Sequence, residues 1–354
     1  MNDPAIGLPA TPIDEAALGL PWLVADVGGT NARFGWVPSL SLGVRHVRKV
    51  PVAQFAGPAA AVAAYLHDLQ PLLGAAPATP RRAAIAVATA VAGDQVSMTN
   101  SPWSFSRCGL RGELGLEELL VLNDFEALAL SLPRLGAAQL RAHRDLPLHQ
   151  GTLAVIGPGT GLGVAGVVQT AHGWVALPGE GGHVTLAASD DFEAAVLGHV
   201  RASYDHVSAE RLLSGIGLPV LHQAVAAVRG QTAAPLSAEA IVERSLATDD
   251  ALCHQTIETF CALLGGFAGN VALTLGARGG VYIGGGIVPR LGDAFFNSRF
   301  RERFESKGRF RAYLEAIPTA LITDTLAALT GAALAIEQIE KIAPGLATTP
   351  AVGT

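Results

Sequence analysis

The sequence predicts a two-lobed α/β protein, and three observations carry that expectation. Its 354 residues exceed what one hydrophobic core usually supports, so the chain is expected to divide into two domains with a cleft between them. Apolar runs of strand length alternate with helix-like stretches. A strand, tight turn, strand unit near the start returns in the middle of the chain, the form expected of two lobes that each open with a phosphate-facing hairpin.

Taken in order, residues 1–20 read as a loose N-terminal arm. They lack the basic start and apolar core of a secretory signal. Trp22 to Val27 is a short apolar run, Gly28-Gly29-Thr30-Asn31 a turn, and Ala32 to Val37 the returning strand. Helix-like stretches follow around Ala59 to Leu69 and Phe125 to Leu132, with strand-like runs at Ala83 to Ala88 and Leu119 to Leu122. Leu153 to Ile156 then enters Gly157-Pro158-Gly159-Thr160-Gly161, and Leu162 to Val168 runs apolar out of it. Aligning the two turns sets Gly29 on Gly159 and Thr30 on Thr160. Beyond this point the pattern is mostly helical. Phe260 to Ala277 carries no charge and is long enough to raise the question of a membrane span, but Gly265, Gly266, Gly269, Gly276 and Asn270 suit a helix packed against protein. One further strand, Gly280 to Ile283, ends in Gly284-Gly285-Gly286. A last amphipathic helix runs from Thr325 to Ile342, and residues 343–354 read as a flexible tail. The small lobe is thus expected over 21–124, with the last helix returning to it, and the large lobe over 125–324.

Half of the residues are hydrophobic and 15% are charged, the balance of a globular chain with a large core. A formal net charge of -6 leaves no positive excess to neutralise a phosphate backbone, which argues against a nucleic-acid partner. Cys108, Cys253 and Cys261 are scattered and form no CxxC pair, so a reducing, cytoplasmic setting fits.

Five segments carry groups fit for chemistry. In the first hairpin, glycine lets backbone N–H groups approach a phosphate, Thr30 and Asn31 add donors, and Asp26 at the strand end could hold magnesium directly or through water. An ordinary hairpin turn is the competing reading. The pattern is no Walker loop, since GxxxxGK[ST] is absent and a strand follows the glycines. The second hairpin adds a further glycine-lined turn with the Thr160 hydroxyl. Asp124 lies between the strand ending at Asn123 and the helix opening at Phe125, where it reads as a helix N-cap, as a ligand-facing carboxylate at a strand's carboxyl end, or as both. In PGEGGHV, Glu180 and His183 stand three apart; the glycines argue against a helical metal site and for a polar loop that contacts hydroxyl groups, with a structural histidine as the alternative. In HVSAERLLSGIGL, Ser208 reads as a helix cap and Glu210 as a residue of that helix's first turn.

Together the stretches ADVGGTNARF, MTNSPWSFS, LNDFEALA, GPGTGLGV, LPGEGGHV, HVSAERLLSG, GGVYIGGGIVPR, FESKGRF and IPTALIT resemble, in order and over roughly residues 22–335, the bacterial glucokinase family. The resemblance implies an actin-like ATPase and sugar-kinase fold of the ribonuclease H-like type, with a small N-terminal and a larger C-terminal α/β lobe and an active site between them. It implies phosphorylation of the glucose 6-hydroxyl by ATP with Mg2+, and a homodimer. Residue by residue it makes Asp124 the general base, and Asn100, Asn123, Asp124, Glu180, His183 and Glu210 the sugar contacts. The nucleotide-binding parts are then Asp26, Val27, Gly28, Gly29, Thr30, Asn31 and Ala32, with Thr160, Gly161, Gly284, Gly285 and Gly286.

Three departures stand out. Pro158 occupies a hairpin position where a small residue is commoner and lacks a backbone donor. TDTLAALTGAA replaces the family's usual segment near the C-terminal end, and the arm and tail fall outside the match. The zinc-binding CxCG motif of the related repressor and open-reading-frame kinase family is missing, which argues against that branch. The rival readings are a kinase for another hexose and a catalytically inactive sugar sensor; Asp124 and the lack of a basic helix-turn-helix extension disfavour the sensor.

Overall fold

The computed structural model describes residues 19–98, 101–144, 151–171, 173–247 and 250–346, with the backbone alone for 339–346. The described residues form two compact units, one comprising residues 19–121 and 335–346 and the other residues 122–334.

In the first unit, β1 (Trp22–Val27), β2 (Asn31–Val37) and β3 (Arg45–Pro51) form an antiparallel meander, and α1 (Pro58–Leu73) leads to β4 (Arg82–Val87), which runs parallel to β1. The short pair β5 (Gln95–Ser97) and β6 (Ser104–Ser106), then α2 (Arg107–Glu113), precede β7 (Glu118–Asn123). The sheet order is β3-β2-β1-β4-β7. α1 opens with Pro58, where the missing N–H and fixed φ suit a first helical position, and stops at Gly74, whose φ of 64° side chains disfavour. Phe34, Trp36, Tyr65, Ile85 and Trp103 fill this unit's own core.

The second unit begins with α3 (Asp124–Ser131) and β8 (Leu140–Ala142), followed by the second hairpin, β9 (Leu153–Pro158) and β10 (Leu162–Thr170), and by β11 (Gly173–Gly179). Helices α4 (Asp191–Arg201), α5 (Gly217–Val228), α6 (Ala238–Ala247) and α7 (Ala251–Leu275) then lead to β12 (Gly280–Ile283). The short helices α8 (Val288–Leu291), α9 (Asp293–Asn297), α10 (Phe300–Glu305) and α11 (Arg311–Glu315) precede β13 (Thr319–Ile322), and α12 (Ala327–Leu346) continues into the first unit's share of the chain. The sheet order is β11-β10-β9-β12-β13-β8, with β12 parallel to β9 and to β13. Its first four places repeat the first sheet's plan: a three-stranded antiparallel meander, then a strand parallel to the meander's first. The repeat seen faintly in the sequence is therefore architectural. Counted back from Ala32 and Leu162, the first cross-strand partners after each turn, Thr30 and Thr160 are equivalent, although the first turn is one residue longer.

The uncharged stretch belongs to α7. Asp250 caps it through its carboxylate and the Cys253 N–H at 3.0 Å, and Gly276 ends it at φ 61°. By length and apolarity α7 could cross a membrane, but 83% of its apolar window is buried within the protein. Gly265 and Gly269 let the backbone of α10 approach; a methyl on either would overlap the Phe300 or Phe304 carbonyl region. α7 is a core helix.

Six strands lie where the sequence showed no strand pattern: β3, β5, β6, β8, β11 and β13. β3 is exposed at every position but Val50 and carries Arg45, Arg48 and Lys49, as an edge strand can. β11 contains Gly173, Pro178 and Gly179, and β13 has only four residues.

Candidate active site

The second hairpin is built around glycines that make room for side chains from elsewhere. Gly157 and Gly163 lie directly opposite each other across β9 and β10, and a methyl group on either would overlap the ring of Phe125. This cross-strand glycine pair forms a flat floor for that ring, which sets the first turn of α3 on the hairpin. Gly161 makes way for the Glu210 carboxylate instead. Gly285 adopts φ 77°, and a Cβ there would come within 2.6 Å of the Pro158 carbonyl carbon. The loop after β12 is thereby clasped to the hairpin, helped by the Ile287 N–H, which donates to Pro158 O at 3.2 Å. Pro158 gives up a donor, and its carbonyl carries this link. Gly284 leaves room for Leu128 of α3, whose side chain would lie 2.9 Å from a Cβ at that position, whereas Gly286 faces open space.

At the start of α3 the cap is Asn123 and not Asp124, which corrects the sequence reading. Asn123 Oδ1 accepts the Phe125 N–H at 2.9 Å, and Glu126, three residues on, accepts a bond from the Asn123 backbone. Burial pushes the Glu126 carboxyl up, and the Asn123 N–H pulls it down. Asp124 sits in the first helical turn, where the helix dipole favours its charge, and its Oδ1 shares the Phe125 N–H at 2.9 Å. Gly331 in α12 permits close approach to the Ala127 backbone and braces α3 from another side.

The polar loop forms as the glycines predicted. Residues Gly181–His183 make a single 3-10 turn, Gly182 fits against the Leu162 carbonyl where no side chain could, and Gly181 against Val164. Glu180 bridges to Val164 of β10, so the loop is a continuation of the sheet edge. The segment from Ser208 departs from expectation: no helix begins there. Thr185 pairs with Ser208 as an isolated bridge, Arg211 N–H bonds back to the Ser208 hydroxyl at 3.2 Å, and helix α5 starts only at Gly217, whose N–H donates to the Ser214 hydroxyl at 3.0 Å. The glycines at 215 and 217 and these turn bonds outcompete helix formation. Glu210 is consequently held in a turn, its N–H on Gly182 O at 2.8 Å and its Oε2 accepting the Leu162 N–H at 2.8 Å. His183 Nε2 lies 3.9 Å from Glu210 Oε1 and 4.0 Å from Glu180 Oε2, too long for hydrogen bonds, with 60% of the imidazole side chain exposed. Glu180, His183, Glu210 and the turn at Gly161 thus form one polar group in the second unit, next to the hairpin that carries the start of α3.

In the first unit, Gly28, Gly29 and Thr30 make the turn of the first hairpin; Gly28 N–H donates to Asn31 O at 2.9 Å, and Thr30 O accepts from Val52 at 2.9 Å. Asp26 lies opposite Arg33 in the strand register and accepts from its guanidinium at 3.0 Å. Burial raises the Asp26 carboxyl above the usual carboxylate range against the lowering pull of Arg33. Arg33 is the residue at this turn that motif reading misses, although an acid and a base seven apart around a tight turn predict such a pair. Val27 and Ala32 are buried beside the turn. Asn100 lies outside the described residues.

A family model described as Glucokinase matches residues 23–339. The chain is 50% identical over 318 residues to the glucokinase of Aromatoleum aromaticum, covering 90% of this chain and 95% of that protein. The chain belongs to the glucokinase family. The Neisseria meningitidis glucokinase is 44% identical over 332 residues, covering 93% and 98%. A crystal structure of a glucokinase from an Antarctic psychrotroph superposes with a TM-score of 0.82 at 37% identity, over 90% of this chain and 98% of that one. A more distant structure, a ROK-family glucokinase from Streptomyces griseus in complex with glucose and AMPPNP, shares the fold at TM-score 0.59 and 18% identity, covering 90% and 100%. The two repeated sheets are accordingly those of the actin-like sugar-kinase fold that the sequence implied.

Proposed function

We propose that this member of the glucokinase family transfers the γ-phosphoryl group of ATP to the 6-hydroxyl of glucose, with Asp124 as general base. The observation that carries the reading is the seating of Phe125 on the Gly157–Gly163 floor, which ties the carboxylate of the preceding residue to a glycine-lined turn. Phosphoryl transfer asks a protein mainly for alignment and charge neutralisation. Asp124 accepts the proton leaving the 6-hydroxyl as the oxygen attacks phosphorus. Asn100, Asn123, Glu180, His183 and Glu210 exchange hydrogen bonds with the other hydroxyls, so that a sugar lacking one leaves a polar group unpaired. The turns at Gly28–Thr30 and Thr160–Gly161, with Gly284 to Gly286, receive the nucleotide.

Mg2+ would supply charge neutralisation on the phosphates. Asp26 fits an outer-sphere role, because its carboxylate is already engaged by Arg33 and no cluster of three metal-ligating side chains occurs among the described residues. That suits a cation coordinated mostly by phosphate and water. We further assign a cytoplasmic setting and a homodimer, both by family likeness.

The test is a sugar panel with coupled detection of ADP. Glucose should give the highest kcat/KM, with mannose and fructose lower by at least about tenfold, as expected when one hydroxyl contact is lost. Preference for another hexose overturns the glucose assignment, and absence of turnover with every sugar overturns the kinase reading.

A further inference from the structure

We propose that Glu210 is a positioning residue through which a bound hexose and a bound nucleotide strengthen each other's binding. The inference rests on the sugar and phosphate assignments above and adds a link between them. One carboxylate oxygen of Glu210 accepts the Leu162 N–H at 2.8 Å, at the exit of the phosphate turn, while the other lies toward His183 in the polar loop. The same short segment holds that turn twice more: Gly215 N–H donates to Gly159 O at 2.7 Å and Ile216 N–H to Thr160 O at 3.4 Å. Glu210 N–H fastens the segment to the polar loop through Gly182 O at 2.8 Å. Residues 210–216 therefore form a strap with one end on the loop and the other on the turn.

The charged end of the strap is open to a ligand, since a third of the Glu210 side chain is exposed, at 33%. A hexose hydroxyl on the outer oxygen fixes the carboxylate, and with it the acceptor for Leu162 N–H, so a nucleotide meets an ordered turn. Phosphates on the turn order the same bond, so the hexose meets a fixed carboxylate. By linkage each ligand must raise the other's affinity by the same factor. A single hydrogen bond to a charged acceptor sets that factor at about tenfold. Gly161 follows from the same arrangement: a methyl there would occupy the position of the Glu210 carboxylate oxygen.

Calorimetric titration of glucose, alone and with a non-hydrolysable ATP analogue, and of the analogue with and without glucose, tests the link. The wild-type protein should show the same gain of about tenfold in both directions. In Gly161→Ala, which adds nothing to the sugar loop but pushes the carboxylate off Leu162, the factor should fall to about one; a merely structural loss would weaken both ligands and leave the ratio unchanged. Glu210→Gln, which keeps an acceptor oxygen and loses the charge, should retain a reduced factor and bind glucose more weakly. A folded Gly161→Ala protein with the wild-type ratio overturns the proposal, as does a wild-type ratio of one. Should Gly161→Ala fail to fold, an undiminished ratio in Glu210→Gln overturns it. Glucose binding by Glu210→Gln at wild-type affinity instead defeats the underlying sugar-site assignment.

Discussion

Replacing Gly163 by Ala adds one methyl group and should act on catalysis through Phe125. The new Cβ falls inside the van der Waals surface of that ring, where ordinary carbon contacts need about 3.5–4.0 Å, so the ring must move by more than about 1 Å. It cannot slide across the floor, because the Gly157 backbone lies under its other edge. The first turn of α3 must therefore lift, carrying Asp124 with it. Overpacking of this kind destabilises by about 1–3 kcal/mol. Misplacing a catalytic group by about 1 Å lowers kcat by about 100-fold. Coupled-assay kcat, glucose affinity by calorimetry and a denaturant titration should separate the terms: a modest loss of stability, a large loss of kcat and a small change in glucose affinity. The double variant Gly163→Ala with Phe125→Leu, with a smaller side chain over the methyl, should recover much of the rate. A folded Gly163→Ala protein with kcat within about twofold of wild type would refute the reasoning, because the ring would then not set the position of the helix start.

Other perturbations follow from the same packing. Gly285→Ala forces a side chain into φ 77° against the Pro158 carbonyl, and should lower unfolding free energy by about 1–3 kcal/mol in urea titrations. His143, packed among Phe295, Phe296 and Phe300, is held down to about 4 from 6.5, chiefly by burial. Its contribution to stability is complete above pH 6.5 and is lost as pH falls toward 4, because the unfolded chain binds the extra proton first. The loss should be on the order of 2 kcal/mol after allowing for partial exposure, and His143→Phe should flatten the profile of stability against pH in that window. Asp26→Asn should raise the Mg2+ concentration for half-maximal rate by about tenfold with little effect on glucose KM, read from metal titrations in the coupled assay.

Much of the fold was legible because it is written in local signals. β1 and β12 begin and end at the residues the apolar runs indicated, and α7 stops at the glycine that permits φ 61°. β3 was hidden because a charged edge strand buries only Val50 in its meander, leaving almost no alternation to read. At the site, the order of the motifs located the polar loop and both turns, yet the local reading could not show a second duty of the glycines of GPGTGLG. Gly157 and Gly163 answer to Phe125, and Gly161 to Glu210, partners supplied by elements far away in sequence. Ser208 reads as a helix cap because serine shortly before an acidic residue is the same signal in a tight turn, and only the backbone bonds to Gly159 and Gly182 decide between them. The sequence Asn123-Asp124-Phe125-Glu126 also offers Asn123 as the cap, and the structure takes that choice, with Asp124 in the first helical turn as the general base proposed above.

That last assignment can be tested directly by the kinetics of Asp124→Asn. A neutral amide of the same shape keeps the start of α3 intact but cannot accept the 6-hydroxyl proton. The expected result is a fall in kcat of about 100- to 10,000-fold with glucose affinity within a few-fold of wild type. Turnover within about tenfold of wild type would contradict the account, because the proton would then leave by a route that does not use this carboxylate.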